Sequence, residues 1–347
     1  MKAATGLVTG PRPLPELAQE AVQLALANAG LERADNVILF LSREFSRHAP
    51  AAVLAAARAA GCLSVHGCTA SGLFTERGWQ LDQPTAAALV IAAPDTNGPG
   101  QSPTLSFSSH SRLPFDWQEG AARAGLLDTD AVTWAHGRIT DNGCAEFRLP
   151  GLDARLARAS GLRLLGEAAP VEQCHGYELV RVGGQRAIDS LYRALPAELR
   201  DQPPLHRVTV LRAADEPAIA ILSASGDGSL MLAEALSEGD TVTWAIRQPL
   251  AAEQEMRAAL NAAALVNIQN ATVSPKNQPN FALMFSCIGR GPLFYGNDDR
   301  DLLAFRETFP DTPLLGAYGA GQIAPQAGRN RLFHNTALTL LFESAHV

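Results

Sequence analysis

Lysine is nearly absent from this chain: Lys2 and Lys276 are the only two among 347 residues. Basic character therefore rests on scattered arginines. With a net charge of −7, no basic stripe for nucleic acid is visible. Cysteine is sparse as well. Cys62, Cys68, Cys144, Cys174 and Cys287 are odd in number and hold no CxxC pair, which argues against a disulfide framework and against a structural zinc site. Long apolar runs are missing. The opening MKAATGLVTGPRPLPELAQE has no apolar segment of signal-peptide length and no later run reaches a membrane span, so a soluble, cytoplasmic protein is expected. No HExxH, GxSxG or Walker sequence occurs. Gly316–Gly321, GAYGAG, is GxxGxG with no acidic residue at the distance a ribose contact needs. No metal, cofactor, nucleic-acid or membrane partner is expected.

Hydrophobic residues make up 47% and charged residues 18%, the balance of a globular chain long enough for two domains or one large one. The most informative stretch runs from Phe281 to Glu343. FALMFSC is a short apolar run bounded by Gly289 and Gly291, read as a buried strand. Leu302, Phe305 and Phe309 then recur at helical spacing behind Asp298 and Asp299 as N-caps. LLGAYGAG follows as a strand entering a glycine loop, and HNTALTLLF comes last. The amino-terminal quarter has the same order. Pro15 opens a helix that ends near Gly30, VILFLS is a strand, Ala51 to Ala60 is a helix closed by Gly61, GCTASG is a glycine loop, and AAALVIA is a strand. Gly67 lines up with Gly316 and Gly72 with Gly321. The expectation is an α/β fold of mixed β-sheets with helices packed on the outer faces, in two pseudo-symmetric halves, 1-200 and 201-347, with the two glycine loops facing each other.

The middle of the chain is less regular. DTNGPGQSP reads as a loop, and TLSFSS and AVTWAHGRI as strands, the latter joined through Asp141, Asn142 and Gly143 to CAEFRL as a hairpin. Leu152 to Ala159 and Ala187 to Leu199 read as helices, and LRLLGEAAPVE and GYELVRV as strands. RDQPP reads as a linker into a β-rich insert that holds VTVLR, AIAILSASGDGSLMLAEAL and DTVTWAIRQ. Ala251 to Val266 reads as a helix with Met256, Leu260 and Ala264 inward.

Ligands of open α/β sheets sit beyond the carboxyl ends of strands, and backbone near glycine can approach them closely. Arg290, between Gly289 and Gly291, offers a guanidinium fork to a carboxylate or phosphate; its plainer role would be a surface salt bridge. Cys68 and Cys287 are candidate nucleophiles with His66 or His334 as base. Small buried cysteines more commonly just pack, and no Asp or Glu is placed to orient either histidine. Alternation puts Ser64, His66 and Cys68 on one strand face.

The motifs GCTASG (67–72), FSCIGRG (285–291), GAYGAGQI (316–323) and HNTALTLLF (334–342) resemble those of the FIST family, the F-box and intracellular signal transduction domain. That family carries a GCTTAGE-like loop in its amino-terminal half and CNGRG, GxxxxGEI and NTxTLLL motifs in its carboxyl-terminal half. SEGDTVTWAIR is similar to its IPEGD-type strand and VGGQRAIDSLY to its DGxPA segment. The resemblance implies a stand-alone sensory protein of signal transduction that binds a small ligand, an amino acid or other small carboxylate, and acts with a signalling partner; it implies no catalytic residues. Leu73 and Gln322 stand where the family has an acidic residue, and Ile288 where it often has Asn, which points to a different ligand. The expected binding residues are Gly67, Cys68, Thr69, Gly72, Cys287, Gly289, Arg290, Gly291, Tyr318, Gly319, Gly321 and Gln322, with Tyr318 as an aromatic wall. The alternative is an enzyme using Cys287 or Cys68.

Overall fold

The strand Asn36–Ser42 alternates between two apolar environments, and the rest of the architecture follows from that. Val37, Leu39 and Leu41 pack with Ala18, Val22, Ala52 and Val53 of the helices Pro15–Ala29 and Ala49–Ala60. Ile38 and Phe40 point the other way, into a core shared with Phe107, Phe285 and Leu340. A strand buried on both faces reads as an unbroken apolar run, as VILFLS does. The computed structural model describes residues 1–92, 100–213, 216–269 and 278–345. Residues 95–99 of the expected DTNGPGQSP loop lie outside the described residues.

Two six-stranded sheets have the same plan. The first has the order Ala3–Thr9, Thr85–Ile91, Asn36–Ser42, Val65–Ala70, Thr133–Ala135, Arg138–Ile139; the second has Leu152–Ala159, Ala337–Ser344, Phe281–Cys287, Leu314–Gly319, Gly72–Thr75, Gly78–Leu81. In each, the third and fourth strands are parallel and the other pairings antiparallel. Ala282, Met284 and Leu341 on the outer face of the second sheet pack with Met256 and Leu260 of the helix Pro249–Gln269 and with Leu302 and Phe305 of the helix Arg300–Thr308. Helices therefore cover both outer faces and the sheets meet through their inner ones. Phe40 and Phe285, which occupy the same place in the two plans, approach edge to face at 6.2 Å, with Phe107 5.3 Å from the first and 5.8 Å from the second. Each such fully buried ring contributes about 1.5–3 kcal/mol by leaving water. A third sheet, Cys144–Phe147, Thr104–Ser108, Arg123–Leu127, Gly321–Gln326, Arg329–Phe333, contributes Leu105, Phe107 and Leu126 to the same core.

The chain forms two compact units, Met1–Ser160 with Glu253–Val347, and Gly161–Ala252. The halves 1-200 and 201-347 follow motif order, whereas contacts divide the chain at other places. The second unit is inserted between the first strand and the first helix of the second plan. It is a seven-stranded antiparallel sheet that closes on itself where Leu162–His175 pairs with Glu178–Val182. Closure removes the open edges, and Val182, Leu191, Val210, Leu230 and Trp244 fill the interior. RDQPP lies within this unit, ahead of Val208–Leu211, and so is not a boundary.

Three expectations fail in the middle of the chain. Leu152–Ala159, rich in helix formers, is a strand in register with Ala337–Ser344 from Leu152 opposite Ser344 to Ala159 opposite Ala337; the open edge of a sheet overrides a weak local propensity. The helix from Ala187 stops at Ala194, because Pro196 cannot continue it. Cys144 does not pair back through Asp141–Gly143. Thr133–Ala135 and Arg138–Ile139 form their own hairpin across His136 (φ 50°) and Gly137 (φ 71°), as two-residue hairpin turns require, and Cys144–Phe147 joins another sheet.

Candidate functional site

The two glycine loops meet, as their repeated order predicts. The Ser71 N–H donates to the Tyr318 carbonyl at 2.9 Å, and Gly72 stands opposite Tyr318 in the antiparallel pair that joins the halves. Beyond the carboxyl ends of both parallel strand pairs lies a cavity of about 310 Å³. Ser42, Arg43, Ser71, Gly72 and Asp128, with Glu44, Asp82 and other residues of the first half, line it on one side, and Ile288, Leu293 and Ala320 of the second half on the other.

Its polar centre is a charge pair that the motifs do not mark. Arg43 opens the turn after Asn36–Ser42, and its guanidinium meets the Asp128 carboxylate through Nη2–Oδ1 at 2.6 Å and Nε–Oδ2 at 3.3 Å. The Ser71 hydroxyl donates to Asp128 Oδ2 at 2.9 Å. Asp128 is buried while the Arg43 side chain is 55% exposed, so a fixed anion holds a cation whose outer face is open to a ligand. Sequence reading overlooked Arg43, Ser71 and Asp128. The available signal was positional, because Arg43 follows its strand as the IGR turn follows Phe281–Cys287.

Of the twelve expected binding residues, Gly72 alone lines the cavity. The glycines serve close packing. Gly67 (φ 153°) would place a Cβ 1.8 Å from the Leu39 carbonyl oxygen, and Gly319 and Gly321 lie against Leu126 and Leu332. Gly289 belongs to the turn Ile288–Arg290, and Gly291 lies against the Tyr318 ring. Thr69 is buried, its hydroxyl accepting from the Val132 N–H at 2.9 Å. Gln322 is buried in the pair with Arg329–Phe333.

The two cysteines are both buried. Burial pushes the Cys68 thiol well above its ordinary range, and the Asp128 charge adds to this. Cys287 is buried, with Sγ 3.9 Å from both the Ala320 carbonyl and Asn335 Oδ1. His334 Nδ1 lies 3.0 Å from the same Ala320 carbonyl; a carbonyl only accepts, so that nitrogen is the donor of this contact. His66 stacks on Phe147 at 4.1 Å, with Nε2 3.0 Å from Ser64 Oγ. Burial lowers its pKa to about 3, with His136 adding to the effect, which leaves a neutral structural ring.

Arg290 and Tyr318 do not reach the cavity, which corrects the expected anion clamp and aromatic wall. The Arg290 fork is taken by Asp301, Nε–Oδ2 at 2.7 Å and Nη2–Oδ1 at 3.0 Å, while Nη1 donates to the Ala159 carbonyl at 2.9 Å. Both partners are almost fully buried. Burial works to lower the Arg290 pKa, and the Asp301 carboxylate more than offsets it. The Tyr295 hydroxyl donates to Asp301 Oδ1 at 2.9 Å, and the Tyr318 hydroxyl donates to Asp299. Asp299 Oδ1 also caps the helix Arg300–Thr308 by accepting from the Leu302 N–H at 2.9 Å. Burial, and then the Asp301 charge, push the Asp299 carboxyl up to about 6. This network braces the second glycine loop from behind.

Among the described residues, no group of three or more His, Cys, Asp or Glu could hold a metal ion, and no helix is long and apolar enough to cross a membrane. Residues 186–325 match the family model of the FIST C domain. An uncharacterised protein of Mycobacterium bovis is 26% identical over 267 residues, which cover 73% of this chain and 64% of the relative. An uncharacterised protein of Mycobacterium tuberculosis is 26% identical over 236 residues, 64% of this chain and 60% of the relative. F-box only protein 22 of Pongo abelii is 41% identical over 64 residues, 18% of this chain and 15% of that protein. The chain thus spans less than two thirds of the length of these mycobacterial relatives. The match at 186–325, together with the motifs in their expected order, supports the FIST family for this chain.

Proposed function

We propose that this protein is a small-ligand-binding sensory protein of signal transduction and that its ligand, an amino acid or other small carboxylate, binds in the cavity between the two glycine loops. The FIST domain is associated with a sensory role in signal transduction. The observation that carries the reading is the half-exposed Arg43, held on buried Asp128 in a cavity lined from both halves. A ligand carboxylate would take the open face of the Arg43 guanidinium, and the Ser71 hydroxyl and the Gly72 backbone lie beside it. Ile288 and Leu293, both exposed, give the second half an apolar wall. Because the wall and the charged pair belong to different halves, a bound ligand would stabilise their contact, which a signalling partner could read. A thermal-shift screen of amino acids and small carboxylates, followed by calorimetry on the parent and on Arg43→Ala, tests the proposal. A carboxylate that binds both proteins equally would overturn the role of Arg43, and the absence of any binder would overturn the reading of the cavity.

A further inference from the structure

Away from the seam, the end of the strand Thr104–Ser108 and the start of Cys144–Phe147 place a thiol beside an imidazole. Cys144 Sγ lies 3.5 Å from His110 Nδ1, and the hydroxyl of buried Ser108 is 2.9 Å from that nitrogen and 3.8 Å from the sulfur. The pair opens onto a cleft of about 500 Å³ that Asp116, Trp117 and Glu146 also line. Antiparallel pairing fixes the arrangement by setting Cys144 opposite Ser108. The backbone N–H of His110 donates to Ser108 Oγ at 3.2 Å, which fixes the main chain that carries the imidazole. Cys144 is half-buried, whereas Cys68 and Cys287 are buried.

We propose that Cys144 is a thiolation site, at which small cationic disulfides of aminothiols enter the cleft and exchange with the thiol while His110 takes its proton. The sulfur of Cys144 gives its proton to His110 Nδ1 and attacks one sulfur of the disulfide. The disulfide S–S bond breaks as the new one forms, and the departing thiolate leaves with the electron pair and recovers the proton from the imidazolium. Cys144 is oxidised as the leaving half is reduced, so no further oxidant is needed. Burial and the charges of Asp116 and Glu146 hold the Cys144 thiol above its ordinary range, with the Ser108 hydrogen bond opposing them; exchange near neutral pH therefore draws on a neighbouring base. The lining favours a cation. Asp116 is exposed, and although Arg123 and the Trp117 indole bind the Glu146 carboxylate, among the described residues no basic side chain other than His110 lines the cleft.

The test treats the reduced protein near neutral pH with cystamine, hydroxyethyl disulfide or oxidised glutathione and locates the adducts by peptide mass spectrometry. Cys144 should be modified before half-buried Cys62 and Cys174, with cystamine about ten-fold faster than oxidised glutathione. His110→Asn, checked for an unchanged melting curve, should slow the cystamine reaction by about a hundred-fold. Asp116→Asn, a surface change that keeps the thiol pair intact, should narrow the preference for cystamine. Earlier modification of Cys62 or Cys174, equal rates with all three disulfides, or an undiminished rate in a folded His110→Asn would overturn the proposal.

Discussion

Arg43 and Arg290 leave equivalent strands, Asn36–Ser42 and Phe281–Cys287, through short turns, and each binds an aspartate in opposite surroundings. Arg43 keeps a face toward solvent while its partner Asp128 is buried. Arg290 and Asp301 are both enclosed, with Tyr295, Asp299 and Tyr318 completing the network. Gly289 and Gly291 make Arg290 look like the ligand arginine in the sequence, and Arg43, in SREF, has no such flag. Depth decides otherwise. A guanidinium whose donors are already taken inside the protein holds structure together, and one held from behind with an open face can serve a ligand.

The sharpest way to break the comparison is Arg290→Ala. Removing one member of a buried pair leaves Asp301 uncompensated beside Asp299, and a loss of about 3–5 kcal/mol of stability is expected in chemical denaturation. A loss near that of an exposed pair, about 1 kcal/mol or less, would make the two arginines alike. Asp299 sharpens the same side. Its carboxyl is raised in the folded protein from 3.8 to about 6, so the fold favours its protonated form. That contribution is complete below about pH 4, fades as pH rises, and is gone above about 6; in total it amounts to at most about 3 kcal/mol. Asp299→Asn should therefore gain on the parent as pH rises from 4 to 6 and keep a constant lead above. Melting curves that stay the same distance apart across this range would rule it out.

On the open side, Arg43→Ala should leave the fold nearly intact and weaken a carboxylate found by the screen by about ten-fold to a hundred-fold, the loss of about 1.5–3 kcal/mol from a charge-assisted contact. Equal loss in an Arg290 variant that still folds would erase the distinction. The smallest effect concerns the contact that joins the halves. A Cβ on Gly316 would fall 2.0 Å from a carbon of the Phe74 ring, so Gly316→Ala should cost about 1–3 kcal/mol through overpacking. Adding Phe74→Leu should return part of it, and failure of that double variant to recover would mean that Gly316 is needed for its backbone instead.

Much of the first unit was legible. VILFLS and FALMFSC are strands buried on both faces, and Pro15, Gly30, Gly61 and Asp299 bound helices as their chemistry predicts. The repeated order foretold that the two glycine loops would meet. The second unit was legible only as β-rich, because closing a sheet depends on which distant strands pair, and LRLLGEAAPVEQCH carries no mark of serving two neighbours. The strand Leu152–Ala159 was misread for the same reason, since its conformation is imposed by the edge it completes.

The sequence by itself determined the alternation of strands and helices, the two related plans and the glycines that let the plans approach, because periodicity, capping and steric size are local properties. Which arginine faces a ligand was decided only by the tertiary structure. Asp128 and Arg43 are 85 residues apart in the chain and bond only because separate strands end at one place, and burial, which fixes what a charge can do, exists only once the layers have closed around it.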